Sequence, residues 1–145
     1  MTEAALTYRD MRALVVEDNE FMRELVVGLV RQIGFGTVAS APDGEQGLHE
    51  IMGGRPQIII CDINMQPVDG VEFVKRLRSA GFFGTNKIPT IFLTTHATED
   101  FVRKARDLDV DGYLVKPVTR THLEQRIAKI LGDPRRMVPG SSPVR

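Results

Sequence analysis

The chain of 145 residues has one cysteine, no net charge and no long apolar run. Each of these shortages excludes something. The lone Cys61 rules against an internal disulfide and against any metal site built from a cysteine cluster. Within Ile58-Ile59-Ile60-Cys61 it reads as a small buried hydrophobe. Nineteen basic residues balance nineteen acidic ones, which leaves no global field to draw in nucleic acid or a membrane surface. A bilayer-spanning helix needs about 18 or more consecutive apolar residues, and no stretch approaches that length. The N-terminus carries Glu3 and lacks a basic-then-apolar leader pattern. The expectation is a cytoplasmic protein with no membrane insertion and no direct contact with nucleic acid. A Gly-x-x-x-x-Gly-Lys-Ser/Thr phosphate loop is also missing.

What is present suits one soluble domain. Apolar residues make up 42% and charged residues 26% of a chain long enough to bury a core without disulfide or metal staples. Residues 1–10 are polar and aperiodic and read as a short N-terminal arm, with the domain at 11–131. Residues 132–145 hold three prolines and two glycines and read as a flexible tail or a linker stub.

Within 11–131, short β-branched runs alternate with helical periodicities. Strands are predicted at about 12–16, 37–40, 57–61, 88–93 and 113–115. Met22, Leu25, Val26, Leu29, Val30 and Ile33 form the apolar stripe of a first helix, capped by Asp18-Asn19 and stopped at Gly34. Leu48, Ile51 and Met52 mark a weaker helix over 43–52, and Val71, Val74 and Leu77 a third that ends near Ala80. Phe101, Ala105 and Leu108 mark a fourth helix; Leu123, Ile127, Ile130 and Leu131 mark the last. Continuous apolar strands separated by helices imply parallel strands covered on both faces. Right-handed crossovers then give a doubly wound α/β sandwich of five strands and five helices. Ligands in such sheets sit beyond the carboxyl ends of the strands.

Those ends carry the chemistry. Ala13-Leu14-Val15-Val16 runs into Glu17-Asp18, and Ile58-Ile59-Ile60-Cys61 runs into Asp62. The fourth strand ends at Thr94-Thr95, and Tyr113-Leu114-Val115 ends at Lys116-Pro117. A carboxylate at the exit of a buried strand is costly to desolvate unless something compensates it. With the first and third strands as neighbours, Glu17, Asp18 and Asp62 converge. Together with Lys116 they leave the site two charges negative, which a divalent cation would cancel. An all-oxygen set with few protein ligands suits Mg²⁺.

Any one of these acids alone would pass as a surface loop residue; three at strand ends do not. Lys116 alone would be a solvated lysine before a turn. Opposite the acids it can neutralise an anion, and the X-Pro bond allows a cis peptide that aims the side chain inward. Thr94 offers a hydroxyl donor, although strand propensity explains one of Thr94 and Thr95. Tyr113 reads equally as a packed core aromatic.

Taken in order, these pieces resemble the receiver domain of two-component response regulators, close in size to the single-domain chemotaxis type. The matching segments are Val15-Val16-Glu17-Asp18-Asn19, Ile59-Ile60-Cys61-Asp62-Ile63-Asn64-Met65, Asp69-Gly70, Pro89-Thr90-Ile91-Phe92-Leu93-Thr94 and Gly112-Tyr113-Leu114-Val115-Lys116-Pro117. The resemblance implies a flavodoxin-like fold with strand order 2-1-3-4-5. It implies that Asp62 takes a phosphoryl group from the phosphohistidine of a histidine kinase or phosphotransfer protein, with Mg²⁺ as cofactor. Asp18 and Asp62 would ligate the metal directly, Glu17 through water, and Asn64 through its backbone carbonyl. Lys116 would pair with the phosphoryl oxygens, Thr94 would swing to hydrogen-bond them, and Tyr113 would rotate inward. The domain would then be a switch rather than an enzyme, assisting its own phosphorylation and dephosphorylation. Its downstream protein target would be met by the face of the fourth helix, fifth strand and fifth helix.

Two departures stand out. Glu17 occupies a position where the family often has aspartate, and Gln66 intervenes between Met65 and Pro67, which should reshape the loop beside Asp62. Asn64 and His96, each two residues after a site residue, flank the expected path of attacking water, at positions that tune phosphoryl lifetime in the family. His96 also reads as a plain surface histidine. Two other readings stay open: an aspartyl-phosphate phosphohydrolase, and a receiver detached from a longer regulator or hybrid kinase. Against the first, Asn64 stands where such hydrolases typically carry a second aspartate.

Overall fold

Side chains in a strand alternate between faces, so a strand that is apolar throughout must be covered on both sides. The computed structural model, which describes residues 7–65, 68–79 and 87–132, shows how that is met. Strands β1 (Arg12–Val16), β2 (Thr37–Ala41), β3 (Ile58–Asp62), β4 (Thr90–Thr94) and β5 (Gly112–Val115) form one sheet. All pairings are parallel, in the order β2-β1-β3-β4-β5. Helices α1 (Glu20–Ile33), α2 (Gly44–Gly53), α3 (Gly70–Ser79), α4 (Glu99–Asp107) and α5 (Arg120–Leu131) fill the crossovers.

The core is therefore double. Ala13, Val15, Ile58, Ile60, Ile91 and Leu93 face α1 and α5, meeting Val26, Val30, Leu123 and Ile127. Their alternates Leu14, Val16, Ile59, Cys61 and Phe92 face α2, α3 and α4, meeting Phe73, Val74, Leu77 and Phe101. Each fully buried aliphatic side chain contributes about 1.5–3 kcal/mol. Polar caps start the helices: Asn19, Asp43, Asp69, Thr98 and Thr119 each accept from a backbone N–H three residues on. Gly34 ends α1 at φ +123°, where a side chain would be strained.

The predicted elements appear, with shifts at their ends. β3 starts at Ile58 and includes Asp62, which pairs with Leu93. Gln57 lies just outside, its amide donating to Arg12 O and its side chain accepting from Arg12 N. β4 begins at Thr90, because Pro89 has no N–H to donate to a ladder. Leu25 and Met52 lie on predicted apolar stripes yet are exposed, since each stripe is wider than the contact its helix makes.

At the start of the domain, Tyr8–Asp10 form a short 3₁₀ turn. The Tyr8 ring stacks on Phe35 with centroids 4.8 Å apart, and its hydroxyl donates to Gly132 O at 3.0 Å. Both partners are distant in sequence, so no local period announces this packing. Residues 1–6 of the expected arm, Gln66 and Pro67, Ala80, and 133–145 of the expected tail lie outside the described residues. Among the described residues no helix is long and apolar enough to cross a membrane.

Candidate functional site

Parallel pairing sets Val16 beside Cys61 and Asp62 beside Leu93, so the C-terminal ends of β1, β3 and β4 share one edge. Carboxylate oxygens of Glu17, Asp18 and Asp62 come within 4.8 Å of one another there. Glu17 is 1% exposed and Asp62 4%, while Asp18 opens to solvent. Lys116 reaches across from the loop after β5. Its Nζ lies 3.0 Å from Glu17 Oε1 and 3.3 Å from Asp62 Oδ1. The Lys116–Pro117 peptide is cis, and the Lys116 amide donates to Thr94 O at 2.7 Å.

Backbone donors complete the cluster. Glu17 Oε2 accepts from Asn19 N at 3.2 Å, and Asp62 Oδ1 accepts from Asn64 N at 3.4 Å. Burial alone would lower the Lys116 pKa, but the Glu17 and Asp62 carboxylates outweigh it and hold the ammonium above its ordinary value. Partial burial, then the Glu17 carboxylate beside it, raises Asp18. Burial pushes the Cys61 thiol well up, with the charges of Asp62, Glu17 and Asp69 adding to it, so Cys61 is no nucleophile. Three carboxylates against one ammonium leave the cluster two charges negative, with oxygen donors only. That chemistry fits a small, hard divalent cation such as Mg²⁺.

The remaining predicted residues are nearby but engaged elsewhere. The buried Thr94 hydroxyl donates to His96 O at 3.1 Å and accepts from His96 N at 3.3 Å. The half-buried Tyr113 ring stands edge-on to Phe101, with centroids 5.3 Å apart. His96 is exposed, with Nδ1 3.2 Å from Thr95 Oγ1. A cleft of about 310 Å³ opens beside the cluster, lined in part by Asn64, Asp69, Thr94, His96 and Lys104.

Two residues matter in ways their sequence positions do not reveal. The Asp69-Gly70 pair is visible as a motif, but its reason is steric. Asp69 caps α3, and a Cβ on Gly70 would stand 2.6 Å from the Asp62 carbonyl oxygen. Only glycine lets α3 press against the backbone that presents Asp62. Arg23 gives no signal at all: it looks like a helix surface residue, yet its Nη1 donates to Glu17 O at 2.9 Å.

Residues 13–128 match the response regulator receiver domain. Chemotaxis protein CheY of Pseudomonas aeruginosa is 31% identical over 120 residues, covering 83% of this chain and 95% of that protein. Chemotaxis protein CheY-3 of Vibrio cholerae is 29% identical over 126 residues, covering 87% of this chain and 95% of that protein. The solved structure of Vibrio cholerae CheY4 matches with a TM-score of 0.74 at 28% identity, covering 83% of this chain and 98% of that one. The receiver domain of the sensor histidine kinase PA1611 from Pseudomonas aeruginosa, solved with a magnesium ion coordinated in its active-site cleft, shares the fold. Its TM-score is 0.75 at 24% identity, over 85% of this chain and 98% of that one. With the strand order, the acid cluster and the match across 13–128 in agreement, the chain belongs to the response regulator receiver family of two-component signal transduction.

Proposed function

We propose that Asp62 is the residue at which this receiver is phosphorylated, taking the phosphoryl group from a phosphohistidine on a histidine kinase or phosphotransfer protein. One observation carries this assignment. Both oxygens of Glu17 are held by donors, whereas the bonds to Asp62, from Lys116 and from Asn64 N, fall on Oδ1 alone. Among the described residues Oδ2 is left free of these bonds as a nucleophile, on a side chain that keeps a few per cent of its exposure. Asp18, the third acid, lies in the open.

In the transfer, Asp62 Oδ2 forms a bond to phosphorus as the N–P bond of the donor breaks and the imidazole nitrogen leaves with the electron pair. Such reactions ask mainly for positioning and charge neutralisation. Asp18, Asp62 and the Asn64 carbonyl would hold Mg²⁺, with Glu17 acting through water. The bound ion would supply positive charge at the phosphoryl oxygens. Lys116 would exchange its bond to Asp62 for one to the new phosphoryl group.

The Thr94 hydroxyl would leave His96 for the same group, and Tyr113 would follow inward. The two arrangements of α4, β5 and α5 then differ in affinity for a downstream protein, which is how a ligand or modification shifts a population. Residues 11–131 carry this switch. Asn64 has no proton to give or take at neutral pH, so it supports a signalling role over turnover as a phosphohydrolase.

The test is intact mass after treatment with acetyl phosphate and Mg²⁺. Wild type should gain one phosphoryl group and Asp62→Asn none. Equal labelling of the two proteins would sink the assignment.

A further inference from the structure

Arg23 stands outside the acid cluster and serves it. It lies in the first turns of α1, where its amide donates to Asn19 O at 2.8 Å. Its side chain folds back along the helix so that Nη1 donates to the carbonyl of Glu17 at 2.9 Å. With that bond every polar group of Glu17 is engaged. The amide donates to Ala41 O, Oε1 accepts from Lys116, Oε2 accepts from Asn19 N, and the carbonyl accepts from Arg23.

The carbonyl bond matters most for the next residue. The Glu17 carbonyl and the Asp18 amide share one rigid peptide plane. Holding that oxygen fixes the plane, and with it the direction in which Asp18 leaves the strand end. Asp18 is the exposed member of the cluster, and the groups that bond its carboxyl, the Glu17 side chain and the backbone of Asp18 and Asn19, all belong to the short stretch of chain that this peptide plane orients.

We propose that Arg23 is a positioning residue for the divalent-metal site, acting on Asp18 through the peptide it shares with Glu17. The inference rests on the acid cluster being a Mg²⁺ site. A simpler effect has the opposite sign, which makes the two separable. A guanidinium beside an acidic cluster repels an incoming cation, so if Arg23 acted only as a charge its removal would tighten Mg²⁺ binding. If it holds the ligands in place, removal weakens binding, and losing a partner that orients metal ligands typically lowers affinity by about tenfold or more.

The experiment is a Mg²⁺ titration of the full chain, read by calorimetry and by the metal-induced shift of the thermal midpoint. Arg23→Ala, Arg23→Met and Arg23→Lys are compared with wild type, and the midpoint of each metal-free protein is recorded. Arg23→Met keeps the apolar stem and guards against a variant that fails to fold. The expected result is about tenfold weaker Mg²⁺ binding for Arg23→Ala and Arg23→Met. Arg23→Lys, which keeps a donor and the charge, should recover much of the loss. Equal or tighter binding by Arg23→Met overturns the proposal, as does a lowered metal-free midpoint with an unchanged dissociation constant. No Mg²⁺ binding by wild type would instead overturn the metal-site reading beneath it.

Discussion

The two halves of the functional edge are built differently. On the acid side, β3 is buried along its whole length and β1 at every residue but Arg12. Their terminal carboxylates are bonded by Lys116, by backbone donors and, through the Glu17 carbonyl, by Arg23. On the responding side, β5 is only partly buried, and Val115 is 46% exposed. Among the described residues the Thr94 hydroxyl bonds only to the His96 backbone in its own loop, and Tyr113 touches Phe101 edge-on. Chemistry gains from groups that need no rearrangement at the moment of reaction. A switch needs the reverse, contacts weak enough to be exchanged for others of similar energy. On the proposed reading the sheet would separate these demands, with the acids at the ends of β1 and β3 and the responding groups at the end of β4 and on the edge strand β5.

Lys116 joins the halves, since its Nζ serves Glu17 and Asp62 while its amide holds Thr94 O. Removing its side chain should break the acid side most. Lys116→Ala leaves two buried carboxylates without their cation, and losing one partner of such a group costs about 3 kcal/mol or more. Chemical denaturation at neutral pH should show that loss, with part of it recovered when millimolar Mg²⁺ replaces the missing charge. The pH dependence has a definite sign. Because the folded pKa of Lys116 is raised above 10.5, its contribution is fully present below that pH and is lost as pH rises through the higher folded value. The variant should lack that alkaline loss. An unchanged midpoint would mean that the acids are held without Lys116.

The acid side was also the legible side. A run such as Ile58-Ile59-Ile60-Cys61 sets its own period and end, so Asp62 can be placed from its neighbours in sequence. The same holds for Glu17, Asp18 and Lys116, whereas the strand order is what the resemblance to receiver domains implied and the sheet shows. What stayed hidden depends on partners far along the chain or on backbone direction. The Tyr8 hydroxyl finds Gly132 across 124 residues. Gly70 is required by a carbonyl eight residues earlier in the chain, and Arg23 by a carbonyl on the preceding strand end. An arginine on an amphipathic helix looks solvated whatever its guanidinium touches. The engagement of the Thr94 hydroxyl with His96 is likewise a property of the loop's path and not of any residue spacing.

The responding side can be tested by removing the Thr94 hydroxyl. Thr94→Ala loses two bonds to the His96 backbone and should cost about 1 kcal/mol of stability. Asp62 should still accept a phosphoryl group. Phosphorylation should move the Tyr113 ring resonances in wild type, and in Thr94→Ala that shift should fall by more than half. A full Tyr113 response in the variant would show that the two halves are coupled by some route other than this hydroxyl.

Asp18 gives the smallest effect and the sharpest test of how far the acid side is preorganised. It is the most exposed of the three acids, and partial burial and the neighbouring Glu17 carboxylate hold its pKa above the ordinary 3.8. A carboxyl whose folded pKa exceeds its unfolded one destabilises the fold at neutral pH, and the penalty fades as pH falls through the raised value. Metal-free Asp18→Asn should therefore be slightly more stable than wild type at neutral pH, by about 0.5 kcal/mol once solvent screening is allowed for. The difference should vanish on acidification. Mg²⁺ should reverse the order, stabilising wild type and leaving Asp18→Asn nearly unmoved, and wild-type affinity for the ion should weaken as protons compete for the carboxylate. If metal-free Asp18→Asn is instead the less stable protein, Asp18 is a structural anchor, and the acid side is held in place by all three acids instead of leaving one strained in readiness for a cation.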